Sequence, residues 1–177
     1  MDFSTLIKDR RSIRSYMPAN EISESTIEEI MKATLQAPTW KNTETGHYYI
    51  AASREAIGKT RACLPGFNQK CTENVCAYIV TAYEKNISGF TKGVADNELG
   101  NQWGAYDLGL QNAYLILKAK ELGLDSLIMG LRDANALRQT FQIPDSQEIG
   151  AVIALGYRDG DALIRKRKEV SQIADFF

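Results

Sequence analysis

The chain has 177 residues, 44% of them apolar and 24% charged, the size and balance of one ordinary globular unit spanning 1–177, so disordered and fibrous classes are excluded. Lysine and arginine number 21 against 22 aspartates and glutamates, a net charge of −1 with the single histidine neutral. The surface as a whole is therefore not built to hold nucleic acid, and any anion site has to be local.

Asp2 is placed to cap a first short helix with Phe3, Leu6 and Ile7 on one face. The opening Met1-Asp2-Phe3-Ser4 lacks a basic stretch followed by an apolar one, so no secretory signal is expected. A second helix has Ser23 or Ser25 as its cap, with Glu28 completing a capping box with Ser25. Ile27, Ile30, Met31 and Leu35 follow helical spacing, Thr34 shares their face, and Pro38 ends the helix. Residues 47–52 and 75–82 are runs of aromatic and β-branched side chains and read as strands, with Ser53 capping a short helix between them. The longest apolar run, 75–80, is far shorter than the roughly 20 residues needed to cross a bilayer. Cys63, Cys71 and Cys76 are odd in number, with no second Cys or His cluster, and read as reduced thiols in a cytoplasm rather than a metal or disulfide framework.

Residues 84–104 are polar, carry Gly89, Gly93, Gly100 and Gly104, and read as a long loop, a candidate lid over a substrate face. From 106 to 122 the chain is apolar almost all round and stops at Gly123. Such a helix is buried on several sides, at the centre of the fold or against a partner subunit. Residues 125–131 read as a strand, Asp133 caps a helix carrying Leu137 and Phe141, Pro144 closes that unit, and 149–155 is a buried strand ended by Gly156. The tail opens with Arg165-Lys166-Arg167-Lys168 and continues with Val170, Ile173, Phe176 and Phe177, which need a surface to pack on. This order of elements has no leading βαβ unit, which predicts an α+β arrangement. No glycine-rich fingerprint follows a first strand and no GxxxxGK[ST] is present, which argues against a Rossmann or phosphate-loop site.

Arg10-Arg11-Ser12-Ile13-Arg14 places three guanidiniums and a hydroxyl within five residues. Guanidinium forks bind phosphate oxygens bidentately, so this is a compact receptor for a dianionic phosphate. The segment Ala37-Pro38-Thr39-Trp40-Lys41-Asn42-Thr43-Glu44, following a helix end, can present hydroxyl, aromatic and amide groups to a planar heterocycle. Ser126-Leu127-Ile128-Met129-Gly130-Leu131 is by itself a core strand, and His47, opening a strand, reads as structural.

Together and in this order, these segments resemble the flavin-dependent nitroreductase family. The matching stretches are RRSIRSY, APTWKN, and the helix from Tyr106-Asp107-Leu108-Gly109 through Gln111-Asn112 to Glu121-Leu122-Gly123-Leu124. They continue with Ile143-Pro144 before Ala154-Leu155-Gly156-Tyr157, and with Arg167-Lys168 in the tail. The resemblance implies an FMN-containing homodimer of α+β nitroreductase-like fold. A central, mostly antiparallel sheet would be flanked by helices, and the C-terminal extension of each subunit would wrap the other. Arg10, Ser12 and Arg14 fall where the family holds the flavin phosphate and the pyrimidine edge, with Arg11 between them. Pro38, Thr39, Trp40 and Asn42 fall where the other subunit's loop borders the cofactor. Asn68 or Gln69 matches a position that bonds the ring edge. Ile128, Met129 and Gly130 match the strand end whose backbone lies against the flavin, and Arg165 and Arg167 match phosphate contacts of the tail.

The implied activity is hydride transfer from NADH or NADPH through FMN to a nitroaromatic, quinone or similar electron-poor acceptor, with no catalytic side chain and no metal required. A dehalogenase or ene-reductase on the same scaffold, and a non-catalytic flavin or nucleotide binder, are the alternatives. The chain departs from the family at Glu44, Gly46 and Glu169, where glutamine, tryptophan and proline are common, and at Trp40, where a small residue is usual.

Overall fold

The most apolar run of the sequence becomes an inner strand of a sheet. The computed structural model describes residues 1–18 and 21–177. Its helices are α1 (Phe3–Asp9), α2 (Glu24–Thr34), α3 (Arg54–Ala62), α4 (Gly66–Cys71), α5 (Gln102–Glu121) and α6 (Ala134–Phe141). Its strands are β1 (Gly46–Ala51), β2 (Ala77–Glu84), β3 (Phe90–Thr91), β4 (Val94–Ala95), β5 (Asp125–Met129) and β6 (Gln147–Gly156). The main sheet has the order β1-β2-β6-β5 with every pairing antiparallel, the α+β arrangement expected.

Side chains alternate across a strand, and here both faces are covered. Tyr78 and Val80 of β2, with Val152 and Ala154 of β6, join Cys63, Leu64 and Leu137 in one core cluster under α3 and α6. Ala77 and Ile79, with Ile153 and Leu155, meet Ile27, Ile30, Leu115 and Ala119 of α2 and α5 in the other. A strand apolar on both faces loses its polar alternation, which is why β2 and β6 appear in the sequence as unbroken apolar runs.

Asp2, Ser53 and Asp133 cap α1, α3 and α6, each side chain accepting a first-turn backbone N–H at 2.9–3.2 Å. In α2 the cap is Ser23, which accepts from the Thr26 N–H at 3.1 Å. The box between Ser25 and Glu28 does not form, because Ser25 already lies inside the first turn; Glu28 pairs with Lys32 instead. Helix α5 starts at Gln102, ahead of the apolar run, where the Asn101 side chain bonds to Asn86. It stops at Gly123, whose φ of +85° is the left-handed turn that glycine adopts without strain.

Three further features differ from the sequence reading. Of the predicted α1 face only Leu6 is buried, and Phe3 and Ile7 are exposed. Helix α4 was not expected, and the long polar segment contains the β3–β4 hairpin. Its turn, Lys92-Gly93, has φ of +51° and +80°, the pairing that suits the twist of a two-residue hairpin. Among the described residues no helix is long and apolar enough to cross a membrane.

The stretch after α1 is extended and lies beside the end of the sheet. The Ile13 N–H donates to Ser126 O of β5 at 3.0 Å, and the Met17 N–H donates to Tyr157 O, just past β6, at 2.9 Å. The arginine segment is thereby pinned at both ends to the sheet.

Candidate functional site

Pinning the 10–17 segment against β5 turns its polar side chains toward the returning tail. Arg10, Arg11, Ser12, Arg14, Leu163, Arg165 and Arg167 line one cavity of about 160 Å³. Five guanidiniums from the two ends of the chain thus converge, and among the described residues no carboxylate lines the cavity and none of the five takes part in an ion pair. Two of them are braced by backbone: the Arg11 Nη1 donates to Arg10 O at 2.8 Å and the Arg14 Nη1 donates to Ser12 O at 3.1 Å. Burial, and then the charges of Arg11 and Arg167, pull the Arg10 guanidinium below its ordinary pKa. Like charges brought together in a partly desolvated pocket are the signature of a receptor for an anion.

An adjoining cavity of about 540 Å³ shares Ser12, Arg14, Leu163 and Arg165 with the first and adds Phe67 from α4. Next to Phe67, the Asn68 Nδ2 donates to Leu131 O at 3.1 Å and the Gln69 Nε2 donates to Leu64 O at 2.7 Å. The first bond ties α4 to the segment just past β5 and the second ties it to the connection from α3, and both leave the side-chain carbonyls of Asn68 and Gln69 as acceptors. At that strand end Ile128 is exposed, Met129 is turned into the core, and a Cβ on Gly130 would meet nothing within 4 Å, so the backbone there is open to a flat ligand.

Pro38, Thr39, Trp40 and Asn42 do not line the arginine cavity of their own chain. They belong to a turn held in an unusual shape, with Lys41, Asn42 and Glu44 at φ of +46°, +56° and +49°. Non-glycine residues pay strain for that conformation and keep it only where neighbours over-determine it. Here the neighbour is Asp107, 2% exposed, whose Oδ2 accepts from the Trp40 N–H at 2.9 Å and from the Ser88 hydroxyl at 2.6 Å. Glu44 N–H donates to Thr39 Oγ1 at 3.2 Å. The Lys41 ammonium reaches Thr91 at 2.8 Å and Asp96 at 3.0 Å, fastening the β3–β4 hairpin onto the turn. The Trp40 ring lies 4.5 Å from that of Trp103.

With this geometry in hand, comparison with known proteins decides the lineage. The sequence profile of the nitroreductase family matches residues 7–157. The chain belongs to the nitroreductase family. A protein of Archaeoglobus fulgidus named "Putative NADH dehydrogenase/NAD(P)H nitroreductase" is 29% identical over 156 residues, covering 86% of this chain and 83% of its own length. A solved "putative nitroreductase in complex with FMN" from Exiguobacterium sibiricum has a TM-score of 0.87 at 22% identity, covering 100% of this chain and 98% of that one. An enone reductase of gut-bacterial fatty acid saturation has a TM-score of 0.88 at 18% identity, with 99% and 97% covered. Both solved structures share the fold.

Three residues lining the two cavities were not visible as such in the sequence. Leu163 closes the arginine cavity, and Phe67 and Arg158 line the cavity beside it. Only Phe67 left a signal, as an aromatic next to two amides. Gly46, where the family commonly has tryptophan, faces the chain's own α5. A Cβ there would lie 2.1 Å from Gln111 Oε1, the atom that accepts the Tyr48 hydroxyl. His47 stands at the sheet rim, 3.3 Å from Glu84, apart from both cavities.

Proposed function

We propose that this member of the nitroreductase family is an FMN-dependent oxidoreductase that takes reducing equivalents from NADH or NADPH and delivers them to a nitroaromatic, quinone or similar electron-poor acceptor. The observation that carries the reading is the arginine cavity. A phosphate monoester bears about −1.5 to −2 charges at neutral pH, and five guanidiniums without an internal counter-ion fit such a group and little else. Arg10, Arg11, Arg165 and Arg167 would hold the phosphate by charge-assisted bonds, with the Ser12 hydroxyl adding one more, while Arg14, which also lines the adjoining cavity, would be left for the ring.

Bound FMN would supply the hydride chemistry, so no side chain has to act as nucleophile or metal ligand. The chain's own residues bind and orient. The open backbone at Ile128, Met129 and Gly130 would flank the ring system, and the free carbonyls of Asn68 and Gln69 are acceptors for a ring N–H. A guanidinium such as Arg14 at the pyrimidine edge would stabilise negative charge developing there.

In this reading the protein is a homodimer. Pro38, Thr39, Trp40 and Asn42, absent from the cavity of their own chain, would border the cofactor of a second copy, and the tail would wrap that copy. The exposed Tyr106 and Tyr114 on α5, with Phe3 and Ile7 on α1, are the apolar surface such an interface would bury.

The purified full-length protein is expected to carry or take up FMN, to bleach anaerobically with NADH or NADPH, and to regain its colour with a nitroaromatic or quinone. An α,β-unsaturated ketone belongs in the acceptor panel. A protein that takes up no FMN removes the reading. A yellow protein that neither nucleotide reduces leaves a flavin-binding module in its place.

A further inference from the structure

Behind the arginine cavity lies a closed ring of four charges drawn from α1, α5, β5 and the segment that follows β6. The Lys120 ammonium, in the last turn of α5, is 2.9 Å from Asp9 Oδ2 and 3.0 Å from Asp125 Oδ1. Arg158 completes the ring, with Nη1 at 3.2 Å from Asp9 Oδ1 and Nε at 3.9 Å from Asp125 Oδ2. Lys120 and Asp125 are 7% and 4% exposed. A lysine buried to that degree persists only when its charge is matched, and two cations against two anions match it.

The position of the ring matters more than its energy. Asp9 is the last residue of α1 and immediately precedes Arg10. Asp125 immediately precedes Ser126, the residue that receives the Ile13 N–H and bridges to Ser12. Arg158 bridges to Tyr16 and follows Tyr157, which receives the Met17 N–H. Asp125 and Arg158 therefore sit next to the two backbone anchors of the arginine segment and Asp9 next to its first arginine, and Lys120 joins Asp9 to Asp125. Arg11, moreover, lines a neighbouring cavity together with Asp9 and Arg158, as well as the arginine cavity itself. The hydrogen bond from Lys120 is the main influence holding the Asp9 carboxyl below its ordinary pKa, with Arg158 a lesser one.

From this arrangement we infer that Lys120 is a positioning residue for the phosphate site: by occupying the carboxylates of Asp9 and Asp125 it keeps Arg11 and its neighbours turned to the cavity. Without it, two carboxylates share one arginine, and Arg11 is the adjacent cation that can restore the balance. A guanidinium captured by Asp9 is one fewer for the phosphate.

This rests on the reading of the cavity as an FMN phosphate site, and the test separates the two. FMN and riboflavin, which lacks the phosphate, are titrated against full-length protein freed of flavin. Wild-type protein is expected to favour FMN strongly; equal affinities for the two would refute the phosphate reading itself. If wild type discriminates, Lys120→Met is expected to lose about tenfold or more in FMN affinity while riboflavin affinity stays within about twofold. The double variant Lys120→Met/Asp9→Asn, with the stranded carboxylate neutralised, is expected to recover most of the loss. A general loss of structure would weaken both ligands alike and would not be rescued, and either that result or undiminished discrimination overturns the positioning role. Lys120→Gln, which keeps a donor on a long side chain and loses the charge, carries the same expectations if Lys120→Met does not fold.

Discussion

A guanidinium without a carboxylate partner is dispensable to the fold but not to a ligand that depends on it, and this sets the expectation for single arginine variants. Hydrogen bonds to charged groups are worth about 1.5 to 3 kcal/mol. Arg10→Ala and Arg14→Ala should each weaken FMN retention by about that amount, measured by equilibrium dialysis, and should leave the urea unfolding midpoint of the flavin-free protein nearly unmoved. Unchanged retention in both variants would put the phosphate elsewhere. Asp9 shows the opposite behaviour, because its partners are internal. Its carboxyl is held below the ordinary value of 3.8 by the Lys120 hydrogen bond, and by Arg158 after that, against a smaller opposing effect of burial. A carboxyl whose folded pKa is depressed contributes stability that is complete above its unfolded pKa and is lost as the pH falls through the folded one. Wild type should therefore outlast Asp9→Asn in urea at neutral pH, and the gap should narrow below 3.8. A gap that stayed constant into acid would mean the carboxylate is not favoured in the folded state.

At the scale of whole elements, the hairpin tests whether the polar segment before α5 is held or loose. Its attachment to the strained turn runs through Lys41, which donates to Asp96 and Thr91. Lys41→Met should speed amide exchange across 88–97 while leaving β2 and β6 protected. Exchange already fast in wild type, and no faster in the variant, would show that the latch does not hold in solution.

The same scale shows what could be read in advance. Strands β1 and β2 were legible because aromatic and β-branched residues cluster in them, β5 and β6 as short apolar runs bounded by polar residues or glycine, and α3 and α6 because their capping residues stand just ahead of the helix. Helix α4 was not, since Gly66–Cys71 is too short to display a period and opens on Pro65-Gly66. The hairpin escaped because Lys92-Gly93 is a weaker turn signal than Asn-Gly, and its strands are two residues each. In the site, Arg10, Arg11, Ser12 and Arg14 announce themselves by adjacency. Arg165 and Arg167 join them only when the fold brings the tail back, and their place was legible through the family resemblance alone. Lys120 gave no sign, because Lys118-Ala119-Lys120-Glu121 has the look of a solvent-facing helix turn. Its burial is created by Asp9 and Asp125, which lie on other elements.

On the scale of the whole molecule, two unfinished surfaces complement each other. Val170, Ile173 and Phe176 of the tail are exposed, and fully burying side chains of this kind is worth about 1.5 to 3 kcal/mol each. Across the fold, α2 and the β1 edge form a groove of about 700 Å³ whose floor includes Ile22, Ile27, Met31, Leu35 and Ile50. Glu21, Glu24 and Glu28 line the same groove together with Lys32 and Arg54, while the tail carries Lys166 and Lys168 just ahead of its apolar residues. β1 is the last strand on that side of the sheet, so among the described residues its outer backbone edge has no strand partner. An apolar tail suits an apolar groove rimmed by charges of both signs, and a second copy of the chain supplies both halves twice over. Removal of residues 170–177 leaves Arg165 and Arg167 in place and takes away only the apolar part. If the full chain is the FMN-binding homodimer proposed above, the truncated protein should sediment as a monomer at concentrations where the full chain is paired, and it should release FMN on dilution at higher protein concentration than the full chain does, because binding that needs the assembled pair follows its mass action. A truncated chain that stayed dimeric with undiminished flavin would assign the groove another role and leave the exposed α5 stripe to hold the pair together alone.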